Sequence, residues 1–256
     1  MLIISNSDNF KIDGLEIVNK MKSRRKFAEF SGNQKSTIFE NRRKSKIFEA
    51  SKILRIFESR RNNVYKVKFR ETSLPAVMKV YSKKNNLLNE YKNLKKLSKA
   101  GLNVPELLFK SESCLILEHI PGNLVNDLTE RQDLGSWIEE LANWMTKLHQ
   151  IKRNKKSLLK SDSNLRNFIF KGRDIYGLDF EEMRYGDPRE DLADICFFLL
   201  TNFPSFTNQK KIMIERFLDA YKKYGDTKLD NMEYFISKSA EEIMERRRNH
   251  RKSCNF

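Results

Sequence analysis

The chain has 256 residues, enough for one large domain or two modest lobes, and its 39% hydrophobic and 11% aromatic content excludes global disorder. Fifty Lys and Arg against thirty-four Asp and Glu leave a net charge of +16, which favours phosphate, nucleic-acid or anionic-surface partners. Cys114, Cys196 and Cys254 form no CxxC pair or spaced His/Cys cluster, which argues against a zinc site or a disulfide framework and for a reducing, cytoplasmic setting.

Residues 1–50 read as a basic, partly helical extension, with Phe10, Phe27, Phe30, Phe39 and Phe48 along it and a break at Ser31-Gly32-Asn33. Its opening apolar run is far too short for a signal peptide. A small lobe is expected over 51–120. Residues 64–69 alternate in polarity, and residues 76–81 form a second strand-like run after Pro75. Residues 85–99 then place Leu87, Leu88, Tyr91, Leu94 and Leu97 at helical spacing, stopped by Gly101. Residues 104–109 and 114–118 read as two further strands. That order predicts a small antiparallel sheet carrying one helix, and Pro121-Gly122 ends the lobe.

Residues 121–256 are predicted to be a larger, mostly helical lobe. Helical patterns cover 134–150, 209–224 (capped by Gly225) and 232–248, with the apolar stretch 195–200 between the first two. That stretch is far short of the ~20 apolar residues that span a bilayer. Short strand-like pieces lie at 167–170 and 175–178, and the end is a basic tail from Arg246 to Lys252. The fold class expected is α+β.

Several residues have the types and settings that phosphoryl transfer from ATP employs: a cation for the phosphates, a group to hold it, metal ligands and a carboxylate to receive a hydroxyl proton. Lys79 lies inside an apolar strand, where an unpaired ammonium is costly. Glu90 follows on the next helix and is placed to pair with it. Lys160-Ser161-Asp162-Ser163-Asn164-Leu165-Arg166-Asn167 is a loop that enters an apolar strand. Such a loop can aim a carboxylate at an incoming hydroxyl and an amide oxygen at a metal. Asp179 ends a strand-like run, a setting that suits Mg²⁺. Taken singly, an Asp or Asn in such a loop is also an ordinary turn former.

The series resembles the aminoglycoside/choline phosphotransferase branch of the protein-kinase-like superfamily over residues 52–225. Ser161-Asp162 through Asn167-Phe168-Ile169 is similar to that family's catalytic loop, with Ser161 in place of the usual Gly. Leu178-Asp179-Phe180-Glu181 resembles its metal motif, and Gly186-Asp187-Pro188-Arg189-Glu190-Asp191-Leu192-Ala193 its "GDPxxDLA" segment. Leu148-His149 matches the end of the helix before the loop, and Glu118-His119-Ile120-Pro121-Gly122 the hinge. The resemblance implies a two-lobed fold with one cleft. It assigns Asp162 as base, Asn167 and Asp179 as metal ligands, Lys79 to phosphate and Glu90 to Lys79. It further assigns the backbone of Glu118 and Ile120 to adenine, Asn164 to the neighbourhood of the γ-phosphate, and Asp191 to support of the catalytic loop. ATP and Mg²⁺, with Mn²⁺ as an alternative, are the implied cofactors.

Two departures stand out. Residues 57–65, which should cover the phosphates, contain no glycine, so their backbone cannot approach phosphate as a Gly-rich loop does, although Arg60 and Arg61 offer charge. Lys160 stands where many relatives have His. The family does not fix the acceptor. A chain at +16 is poorly suited to polycationic aminoglycosides, so an anionic or non-cationic small molecule or a protein hydroxyl is expected. Weak polyanion or RNA contact is expected of the basic ends. Atypical protein kinases of the RIO-like kind are a related reading, which the "GDPxxDLA" match disfavours. A nucleotide- or RNA-binding pseudokinase is the reading from a different class.

Overall fold

The computed structural model describes residues 2–3, 11–12, 50–57, 59, 61–69 and 74–253. The partly helical extension expected over 1–50 lies outside the described residues, apart from the pairing of β1 (Leu2–Ile3) with β2 (Lys11–Ile12) and the start of β3. Arg60 lies outside them as well. The chain divides into two compact units, Met1–Leu87 with Glu106–His119, and Leu88–Pro105 with Ile120–Phe256.

The first unit is built on a five-stranded antiparallel sheet of order β3-β4-β5-β7-β6. Its strands are β3 (Ala50–Phe57), β4 (Asn62–Phe69), β5 (Ala76–Tyr81), β6 (Leu107–Lys110) and β7 (Cys114–Glu118). One face carries the core, where Tyr65, Val67, Phe69, Ala76, Met78, Cys114 and Ile116 are buried against Ile53, Val80, Leu108 and Phe109. The alternation of β4 and β5 is thus the alternation of a half-buried sheet. Strand β3 is additional to the strands expected. Its register shifts twice against β4, and Leu54 and Ile56 are exposed at 42% and 67%. Apolar residues on both faces and bulges erase the period of two that marks a strand.

Helix α1 (Lys84–Lys99) begins in the first unit and ends in the second. The second unit adds α2 (Val125–Glu130), α3 (Trp137–His149), α4 (Pro188–Thr201), α5 (Asn208–Tyr224) and α6 (Met232–Ser253). Two three-stranded sheets complete it. One orders β12 (Asp174–Gly177), β11 (Phe168–Lys171) and β8 (Asn123–Leu124); the other orders β13 (Arg184–Gly186), β10 (Lys156–Leu159) and β9 (Lys152–Arg153). Helix α3 packs on α5, and α4 packs on both α5 and α6. Helix α4 starts well before the apolar stretch 195–200. Asp187 accepts from the Arg189 amide, Glu190 closes a capping box, and Pro188 takes the first turn, so the "GDPxxD" residues double as its start signal. The residues from Arg246 to Lys252, expected as a tail, continue α6. No helix among the described residues is long and apolar enough to cross a membrane.

Candidate active site

The loop from Lys160 to Asn167 is held from beneath by one buried carboxylate. Asp191 on α4 is 1% exposed. Its Oδ2 accepts from the Lys160 amide at 2.6 Å and its Oδ1 from the Ser161 amide at 2.9 Å. The His149 Nε2 lies 3.1 Å from the same carboxylate, and the His149 Nδ1 lies 2.8 Å from the Tyr221 hydroxyl on α5. Burial alone would raise the pKa of Asp191, but the His149 contact and the two amides outweigh it and hold it below the usual carboxylate range. This arrangement fixes the backbone just before Asp162. Ser161 takes φ +66°, the left-handed region that favours glycine, which explains why the family's Gly belongs there. Its hydroxyl oxygen is buried without a hydrogen-bond partner among the described residues.

Beyond Asp162 the loop closes on itself. Asn164 caps a single 3₁₀ turn, its side chain accepting from the Arg166 amide at 3.0 Å. The amide expected near a γ-phosphate is therefore also a turn former. Asn167 donates from Nδ2 to the Asp162 carbonyl at 3.2 Å, so Oδ1 is its atom suited to a cation.

Asp179 follows β12 with φ +57°, which Asp tolerates better than most residues. The strand leading to it passes under Trp144, where Gly177 is obligatory: a Cβ there would sit 2.4 Å from the indole. Phe180 stacks on Trp144, and Phe168 meets it edge-on at 5.5 Å between centroids. From α1, Asn93 donates to the Phe180 carbonyl at 2.7 Å and Asn89 to the Glu181 carbonyl at 3.5 Å. Glu90 on the same helix is 1% exposed. Its carboxylate, that of Asp179 and that of Glu181 offer oxygens all within 4.8 Å of one another. Together with Asn167 Oδ1, these are hard oxygen donors of the kind Mg²⁺ takes, so the donor chemistry fits the implied ion.

Sequence reasoning noted Lys160 only as a departure. Its side chain is fully buried, and its Nζ donates to the carbonyls of Asp162 at 2.9 Å and Asp179 at 3.0 Å. The nitrogen lies over the rings of Phe168 and Phe180 at 5.5 and 5.3 Å. Burial lowers its pKa, while Asp162, Asp179, Asp191 and Glu90 act in the opposite direction. Glu181 and Tyr221 are the other residues at the site to which no role was given.

The first unit holds Lys79 and Glu118. Lys79 is 6% exposed on β5, with its Nζ 5.2 Å from the Tyr81 ring centroid. Glu118 ends β7, where its amide donates to the Glu106 carbonyl at 2.9 Å and its carboxylate accepts weakly from the Glu106 amide. Ile120 opens the second unit's return segment and is buried. Asp162, Asn164, Asn167, Asp179 and Glu90 all belong to the second unit, and hydrogen bonds or close carboxylates connect Asp162 with Asn167 and Asp179 with Glu90. A cavity of about 300 Å³ in that unit is lined in part by Ser161, Arg184, Asp194, Lys238, Ser239 and Arg246.

No protein-family model matches the sequence, and no curated protein matches it. Solved structures do. The ADP-bound aminoglycoside phosphotransferase APH(2'')-Ib is 14% identical, with a TM-score of 0.56 over 72% of this chain and 80% of that one. The macrolide 2'-phosphotransferase MphH of Brachybacterium faecium is 13% identical, also at 0.56, over 72% of this chain and 81% of its own. A choline/ethanolamine kinase family protein of Mesorhizobium loti is 14% identical, at 0.54, over 81% and 78%. With its five-stranded antiparallel sheet and helical second unit, the chain shares the α+β fold of these phosphotransferase and kinase structures.

Proposed function

We propose that the protein is an ATP-dependent phosphotransferase that moves the γ-phosphate to a hydroxyl of a non-cationic small molecule. The observation that carries this is the joining, within one unit, of the Asp162 loop to Asn167 and to the segment bearing Asp179. Asp162 acts as the base that receives the acceptor hydroxyl proton. Asn167 Oδ1 and Asp179 would hold Mg²⁺, with Glu181 beside them; the ion, when bound, would neutralise phosphate charge. Lys79 is assigned to the phosphates, Glu90 to Lys79, Asn164 to the γ-phosphate side, and the backbone of Glu118 and Ile120 to adenine. Fold likeness to kinases and phosphotransferases, one of them ADP-bound, supports the donor. The net charge of +16 supports a non-cationic acceptor. The test is release of ADP from Mg·ATP by the full chain while candidate hydroxyl compounds are screened, beside Asp162→Asn. Equal release by both proteins in every condition sinks the reading.

A further inference from the structure

Two loops must hold one geometry if a base and a metal ligand are to act on the same phosphoryl group. Their backbones are linked where the Leu178 amide donates to the Asn167 carbonyl at 2.8 Å. Lys160 spans the remaining distance, with its Nζ on the carbonyls of both Asp162 and Asp179. The aliphatic stem is fully buried, and the aromatic group of Phe168, Phe180 and Trp144 confines the head. Its own amide is in turn gripped by Asp191. A lysine normally costs free energy in such a place. Here the donor hydrogens serve two backbone carbonyls, one of which, that of Asp162, also accepts from Asn167 Nδ2.

We propose that Lys160 is a positioning residue: it ties the Asp162 loop to the Asp179 loop, so that base and metal ligand are registered before nucleotide arrives. This rests on the reading of those two carboxylates given above. The tie needs only N–H donors, which the ammonium and the neutral amine both have. It also accounts for the departure at this position. A side chain long enough to reach both carbonyls replaces a shorter ring, at a point where Ser161 already replaces glycine.

The test is hydrogen–deuterium exchange on the full chain without nucleotide or metal. Lys160→Met keeps the apolar stem and removes the donors, while Lys160→Gln keeps a donor. In Lys160→Met, amides over residues 160–168 and 177–182 should exchange together, about 10-fold faster, as expected for loss of two buried hydrogen bonds, while the sheet of the first unit is unchanged. Lys160→Gln should recover part of that protection, and it carries the comparison alone if the methionine variant does not fold. Loosening of only one loop, of neither, or of the whole chain equally overturns the proposal. For Mg·ATP turnover, Lys160→Met should lower kcat by about 10²-fold with a smaller change in KM, the signature of misplaced groups. An unchanged kcat overturns it too. Should Asp162→Asn turn over as fast as the parent protein, the assignment of Asp162 falls, and the exchange result still decides the tie.

Discussion

The sheet core of the first unit and the centre beneath the Lys160–Asn167 loop of the second are made of different materials. Beneath the five-stranded sheet, Tyr65, Val67, Phe69, Ala76, Met78, Cys114 and Ile116 exclude water mainly with apolar groups. Beneath the Asp162 loop, the second unit buries Lys160, Asp191, His149 and Ser163 at 3% exposure or less. Apolar packing is non-directional and tolerates volume-conserving exchange. A buried polar network fixes atoms at hydrogen-bond distances and is costly when any member is missing. The difference teaches that the sheet supplies stability, whereas the polar centre orients a short loop, and each should fail in its own way.

The largest effect separates chemistry from folding. Asp162→Asn should lower turnover on the order of 10²–10⁴-fold, the usual cost of losing a general base, with little change in melting temperature. Comparable losses of stability and rate would reduce Asp162 to a turn former. Asp179→Asn, chosen because Asn also tolerates positive φ, should abolish turnover and weaken metal-dependent ATP binding, read by calorimetry.

Next in size are the two cores themselves. Asp191→Ala strands the amides of Lys160 and Ser161 and the ring of His149; removing one partner from such a buried pair costs about 3–5 kcal/mol. Turnover of the protein that remains folded should fall as well. Met78→Ala, fully buried in the sheet core, should cost about 2–5 kcal/mol and leave kcat of the folded fraction unchanged. Denaturant melts paired with kcat distinguish the two. If Met78→Ala lowers kcat as Asp191→Ala does, the division of labour is wrong.

The same contrast decides what the sequence reveals. The strands β4, β5 and β7 and the helix α1 follow from alternation and helical spacing, because an apolar face repeats with the geometry of its element. The residues proposed for catalysis come from motif order. Lys160 as a tie does not, since a lysine in a loop looks the same whether its head is in water or on two carbonyls 17 residues apart in sequence. Tyr221 is equally silent, being one more aromatic in an amphipathic helix until His149 is found against it. Strand β3 escapes because its bulges break the period.

A smaller effect is set by pH. Burial pushes the Asp194 carboxyl up to about 6, with the Ser239 hydroxyl of α6 opposing and Asp191 adding to the rise. A carboxyl whose folded pKa exceeds its unfolded one contributes stability below the unfolded value, near 3.8, and that contribution is lost as pH rises through about 6. The span is on the order of 2–3 kcal/mol. Asp194→Asn should flatten the difference between melts at pH 4.5 and pH 7.5. A profile identical to that of the parent protein shows that Asp194 ionises freely in the fold.

The smallest effect tests whether strain at the catalytic loop serves orientation. Ser161 holds φ +66° and buries a hydroxyl without a partner among the described residues, and both features disfavour it there. A left-handed conformation costs an L-residue roughly 1–2 kcal/mol, and an unsatisfied buried hydroxyl costs about 1–3 kcal/mol. Glycine relieves both but loses roughly 0.5–1 kcal/mol to the greater freedom of the unfolded chain. The least favourable ends of these ranges still leave Ser161→Gly ahead by about 1 kcal/mol, which for a chain of this size raises the melting temperature by roughly 2–4 °C per kcal/mol. Ser161→Ala keeps the strained φ and removes only the hydroxyl, so the gap between the two variants isolates the backbone contribution. Because Asp191 grips the Ser161 amide from below, the glycine variant should keep the loop in place and retain kcat. A fall in kcat with rising stability would mean that the serine's stiffness, beyond the Asp191 grip, aims the neighbouring Asp162.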